Sequence, residues 1–244
     1  MMAATSLVFG VLPQADALRL ADTCLLWAHR LSEWCGHGPA IEEDIALTNT
    51  ALDAIGQARA LYQAVALARS DGSSEDTLAY FRDPDEFCNL SLAAVANGDY
   101  AQTVLRSLYL SAWFISVWEG FAHTSAIELH RFAAESAKAA RMCFRHASDW
   151  AVRFGDGTGE SRARMERALL LLEPFVLELL DAELTGSPAQ SRSGSFRQRI
   201  DACFAEATLS PLRVGSSRGS SAAERRALLT EMQSLARLHP TARW

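Results

Sequence analysis

The sequence predicts an all-α protein. Apolar residues recur at helical spacing through several long segments, no alternating stretch of useful length competes as a strand, and only one long connection separates otherwise short turns. With 244 residues and 49% hydrophobic content, the chain can bury a large core.

Residues 1–14 read as a loose N-terminal arm, because Gly10 and Pro13 interrupt any helical pattern. Residues 15–244 read as one helical domain. Its first helix, about Ala15 to Trp34, carries Leu18, Ala21, Leu25, Ala28 and Leu31 on one side and stops at the CGHGP turn of residues 35–39. The second, Ile41 to Leu67, opens with Glu42, Glu43 and Asp44, whose carboxylates offset the positive end of the helix dipole. A short turn between the two predicts an antiparallel pair. Residues 71–99 carry turn signals at Asp71-Gly72, Asp83-Pro84 and Asn97-Gly98, with Tyr80, Phe81 and Phe87 as anchors. This single long crossover suggests a ferritin-like four-helix bundle, with extra C-terminal helices. The third bundle helix, Tyr100 to His123, is so apolar from Leu108 to Trp118 that it must be central, and the excess predicts a face reserved for a partner. A fourth spans Ala126 to Phe154 and a fifth Glu160 to Leu184, with Pro174 as a kink. The Ser/Arg/Gly segment after it reads as a linker to a short helix, Arg197 to Ala207. A flexible loop and a last helix, Ala222 to Leu238, follow.

Net charge is −6 and no long basic run occurs, which argues against nucleic acid or an anionic membrane surface as partner. No stretch approaches the ~18 continuous apolar residues of a membrane span, and no basic n-region precedes the apolar N-terminal patch, so a cytoplasmic protein is expected. The five scattered cysteines, without a CxxC, read as reduced thiols.

Helical bundles that hold two irons use a carboxylate from each of two helices and Glu-x-x-His from each of the others, a spacing that aims an oxygen and an imidazole at the same metal pair. None of the six histidines here has an acid three residues before it. On the second helix the place for that pair reads Asp53-Ala54-Ile55-Gly56, and on the fourth Ala139-Ala140-Arg141-Met142. Glu119 with His123, Cys143 with His146 and His29 with Glu33 each share a helix face, but two ligands do not make a metal site, and surface or structural pairs are the plainer reading. One polar stripe, Asn49, Asp53 and Gln57, runs along the otherwise apolar second helix. It reads as a buried, hydrogen-bonded remnant of a metal site; a solvated face and a live site are the alternatives.

The stretches ADTCLLWAHRLSEWCGHGPAIEEDIALTNTALDAIGQARALY, EDTLAYFRDPDEFCNLSL, ANGDYAQTVLR, SLYLSAW, ESAKAARM and EMQSLARLHPTARW together resemble the PaaC subunits of phenylacetyl-CoA epoxidases. The resemblance runs from about residue 17 to Trp244, and RLSEWCGHGP, ALDAIGQAR and EMQ are its most specific words. It implies a ferritin-like, non-catalytic scaffold paired with a PaaA-like di-iron catalytic subunit. The complex so implied, with further subunits, epoxidises the ring of phenylacetyl-CoA with O2 and NADPH-derived electrons during aerobic phenylacetate catabolism. The sequence departs from the family pattern at Ser111, where an acid often stands, at Ala139 and Cys143, where a Glu and a His stand, and in the loop GSSRGSSAAER. No metal or other cofactor is therefore expected in this chain. A divergent subunit of a related acyl-CoA oxygenase and a free-standing ferritin-like metal-binding protein remain the alternatives.

Overall fold

A computed structural model describes residues 7–121, 124–185 and 189–242. The chain divides into two compact units, one of residues Met1–Ala96 with Ser221–Trp244 and one of Asn97–Ser220.

The first unit begins with a short hairpin in which β1 (Leu7–Val8) pairs antiparallel with β2 (Leu12–Pro13). Phe9 and Gly10, both at positive φ, turn the chain between them. Val8 and Leu12 are fully buried, so this part of the expected arm is a docked hairpin, held by two apolar side chains that a free arm would leave in water. Helix α1 (Gln14–Ser32) and helix α2 (Ile41–Arg69) form the predicted antiparallel pair. On α2 the face toward α1 is Leu47, Ala51, Ala54, Ala58, Leu61 and Val65, where small alanines let the two backbones approach closely. The turn between the helices is tight for a stated reason: Gly36 takes a positive φ and donates its N–H to Asp44 at 2.7 Å, and a Cβ on Gly38 would meet the Asp44 backbone nitrogen at 2.9 Å.

The crossover holds more helix than its sequence suggests. Helix α3 (Glu75–Tyr80) starts with a capping box between Ser74 and Thr77, a 3-10 turn spans Pro84–Glu86, and a single turn α4 (Ser91–Ala94) precedes the second unit. Helix α9 (Ala222–Leu238) packs back on α3, α4 and the 3-10 turn.

The second unit is built around α5 (Tyr100–Gly120), in which 17 of 21 residues are buried. It is central, as its composition predicts, but the apolar excess is consumed inside the unit. Helices α6 (Ile127–Asp156), α7 (Gly159–Asp181) and α8 (Ala189–Glu206) all pack on it, so α5 keeps no broad apolar face for another chain among the described residues. Pro174 lies inside α7, and its carbonyl accepts a hydrogen bond from Gly219 of the last loop at 2.7 Å. Helix α8 begins at Ala189, eight residues before the predicted Arg197. Arg192 is buried there and donates to the Ala182 carbonyl, a tertiary contact that overrides the linker-like composition.

Candidate functional site

The residues that would stand for a metal site fall in both units and do not fit a metal. On α2, Asn49, Asp53 and Gly56 are exposed and Gln57 is half-buried, so the expected buried stripe is a solvated edge of the helix. The correction has a physical cause. The small residues Ala51, Ala54 and Ala58 take the inner face, which turns the stripe away from α1. In the second unit Ser111 is fully buried, but its hydroxyl donates to the backbone carbonyls of Ser107 at 2.6 Å and Leu108 at 3.2 Å. Ala139 offers only a methyl group, and Cys143 is a buried thiol on α6. Among the described residues no three His, Cys, Asp or Glu side chains gather where they could hold an ion. A di-iron centre needs anionic oxygens and imidazoles, and serine, alanine and glycine supply neither.

The lesser pairs also resolve. Glu119 accepts from Arg199 at 2.9 and 2.7 Å and from Arg141 at 3.4 Å, an ion pair that ties α5 to α8 and α6; His123 lies outside the described residues. Glu33 pairs with Arg30 at 2.6 Å. Burial lowers the His29 pKa and Arg30 lowers it further, while Glu231 of α9 raises it.

A dense buried polar cluster was not among the sequence candidates. Asp22 of α1 is fully buried, and both of its oxygens are used. Oδ1 accepts from the Tyr62 hydroxyl of α2 at 2.5 Å and from Arg82 Nη2; Oδ2 accepts from Arg82 Nη1 at 3.2 Å and from the Cys88 N–H at 2.8 Å. Arg82 also donates to the carbonyls of Leu78 at 2.6 Å and Glu86 at 3.1 Å, and its guanidinium lies 4.1 Å from the centre of the Phe87 ring. Burial and the Asp22 carboxylate push the Tyr62 pKa far up, so its hydroxyl stays a donor. Burial would lower the pKa of Arg82, but Asp22 more than offsets it and the net shift is upward.

Helix α9 closes this knot from outside. Gln233, almost wholly buried, donates to the Ala79 carbonyl at 3.1 Å and the Arg82 carbonyl at 3.0 Å; Arg237 reaches the Arg82 carbonyl at 2.8 Å. The signal was present in the sequence as an acid on the apolar side of helix one, one turn from Leu18 and Leu25, and as an arginine among the crossover aromatics. The knot fixes the crossover to α1 and α2.

A pocket of 220 Å³ lies between α5, α7 and the last loop, floored by Tyr109 and flanked by Leu169, Leu170 and Glu173. That is below the ~300–1,000 Å³ of small-molecule sites, and far too small for a coenzyme A ester. In the first unit an open groove of 800 Å³ runs between α3 and α9, lined by Tyr80, Phe81, Leu235 and His239 among others.

An all-α chain in which one helical pair, a long crossover and a second long helical pair follow in order has the element order of the ferritin-like helical proteins, here without a group of three His, Cys, Asp or Glu that could hold an ion among the described residues. The sequence profile of the family described as "Phenylacetic acid catabolic protein" matches residues 14–244. The chain is also 34% identical over 245 residues to the C subunit of the 1,2-phenylacetyl-CoA epoxidase of Escherichia coli (strain K12), an alignment covering 94% of this chain and 98% of that protein. The chain belongs to the phenylacetic acid catabolic protein family.

Proposed function

We propose that this chain is a non-catalytic subunit of a phenylacetyl-CoA epoxidase complex, and that it scaffolds a related di-iron subunit which performs the ring oxidation with O2 and NADPH-derived electrons. The non-catalytic part is supported by the donor chemistry: none of the six histidines has an acid three residues before it, and among the described residues no three His, Cys, Asp or Glu side chains gather where they could hold an ion. Membership in the complex is supported by likeness to the Escherichia coli protein over nearly the whole of both chains. A buried knot around Asp22 supports the scaffold reading from another side, since its charged groups bind one another and hold the crossover in place.

In this reading the iron belongs to the partner, and phenylacetyl-CoA, or a close acyl-CoA analogue, is processed there. The test is reconstitution. The related di-iron subunit, the reductase and NADPH are assayed for phenylacetyl-CoA-dependent O2 consumption with and without this chain, at matched soluble concentration of the di-iron subunit. A sharp fall without it is expected; full activity in its absence would overturn the scaffold role.

A further inference from the structure

A tyrosine buried in a helical core usually carries its hydroxyl to a partner, as Tyr62 does to Asp22. Tyr109 of α5 does not. It is 1% exposed, and its ring packs on Phe196 and Phe204 of α8 with 6.1 and 6.3 Å between ring centres, yet its hydroxyl has no hydrogen-bond partner among the described residues. What lies before it is the 220 Å³ pocket that it floors. A buried hydroxyl without a partner is destabilising, so a group that enters the pocket and bonds to it is favoured.

The rest of the lining defines that group. Glu173 of α7 is half-buried at the wall and joins no ion pair among the described residues, whereas Glu166, two turns back, is paired with Arg162 at 3.2 Å. Burial raises the Tyr109 pKa and the Glu173 carboxylate raises it further, so the hydroxyl stays protonated in a negative field. Arg213, the cation of the lining, is exposed on the last loop and leaves Glu173 unpaired. Leu169, Leu170 and Pro211 make the wall apolar, and Leu170 is 62% exposed, an aliphatic surface for a ligand to cover.

We propose that this pocket binds a small organic ammonium ion, whose nitrogen donates to the Glu173 carboxylate and the Tyr109 hydroxyl while a short apolar tail lies on Leu169, Leu170 and Pro211. An ammonium group has three N–H donors, and the carboxylate and the phenol oxygen accept two of them. An anion would be repelled by Glu173, and a neutral alcohol would forgo the charge-assisted bond. Size follows from volume: at ~30 Å³ for each water-sized group, 220 Å³ holds about seven, which admits an amine of about five carbons and excludes a nucleotide. The loop that forms the far wall is pinned at both ends, by the Leu212 N–H on Asp201 at 3.2 Å and the Gly219 N–H on the Pro174 carbonyl at 2.7 Å. The pocket is therefore formed before a ligand arrives. The inference stands on the second unit alone and does not rest on the epoxidase reading.

The experiment is an NMR titration of the isotope-labelled full chain at about pH 7, where an alkylamine of lysine-like pKa is protonated. The probes are 3-methylbutylamine, 3-methylbutanol and 3-methylbutanoate, which share one carbon skeleton and differ in charge. Saturable shifts with the amine are expected at the amides of Glu166, Leu169, Leu170, Glu173 and Arg213, with the alcohol and the carboxylate binding about tenfold more weakly or worse. Glu173→Gln, which keeps the size and removes the charge, should weaken the amine by a similar factor. Tyr109→Phe should weaken it several-fold and leave helix content by circular dichroism unchanged. No saturable shift at those amides, as a pocket holding only water would give, overturns the proposal. So does equal affinity for the alcohol, or an affinity indifferent to Glu173→Gln. The comparison of the three probes needs no variant, so it decides the matter even where a variant fails to fold.

Discussion

Asp22 and Asp53 are both acids on long helices with a leucine within one turn, yet their surroundings give them opposite weight. Asp22 is enclosed and bonded to Tyr62, Arg82 and the Cys88 amide, whereas Asp53 is exposed on α2. Removing one member of a buried ion pair strands the other, a loss of about 3–5 kcal/mol. Asp22→Ala should therefore lower the urea midpoint severely, and Asp22→Leu combined with Arg82→Met should recover part of the loss. Asp53→Leu should change stability by no more than about 0.5 kcal/mol, as exposed substitutions do; a loss as large as that of Asp22→Ala would mean that Asp53 is enclosed in solution. His29 gives the pH dependence. Its folded pKa lies below the ordinary 6.5 because burial disfavours the imidazolium. The unfolded chain then binds the proton more readily, so the stabilisation is present above about pH 6.5 and is lost as the pH falls from there through the folded pKa. Wild-type stability should drop on acidification across that window by more than that of His29→Gln, and parallel pH profiles of the two would remove His29 as the cause.

At the scale of elements, the sequence was most legible where one residue pattern had one use. The α1–α2 pair, the central position of α5 and the final helix α9 follow from periodicity and turn chemistry. Two words of the resemblance find structural reasons: RLSEWCGHGP holds buried Arg30, which donates to the Ala94 carbonyl at 3.1 and 3.0 Å, and the glycines that close on Asp44, while EMQ contains Gln233. What the sequence hid was direction. Alanine reads equally well inside or outside a helical pair, so the polar stripe of α2 could be placed on the wrong side until Ala51, Ala54 and Ala58 were seen against α1. Helix α8 was masked by serine and glycine, residues that favour loops only until a tertiary contact such as that of Arg192 fixes the segment. Gly194 supplies the test. It lies in α8 with open space around its missing Cβ, so Gly194→Ala should stabilise the protein by about 0.5–1 kcal/mol. No change in thermal midpoint would indicate that the segment is not helical in solution.

For the whole molecule, the account is a helical chain that keeps the element order of a di-iron bundle and spends its buried polar chemistry on structure. Asp22 with Arg82 locks the first unit, Glu119 with Arg199 braces the second, and the positions read from the sequence as a degenerate metal site carry a hydroxyl, a methyl, a thiol, an exposed carboxylate and a glycine. The measurement that bears most directly on this is the iron content of the purified chain after anaerobic loading with Fe(II) and desalting. The account predicts iron far below one atom per chain, with no absorption from a bridged ferric pair after exposure to air. Two irons per chain, retained through desalting, would contradict it.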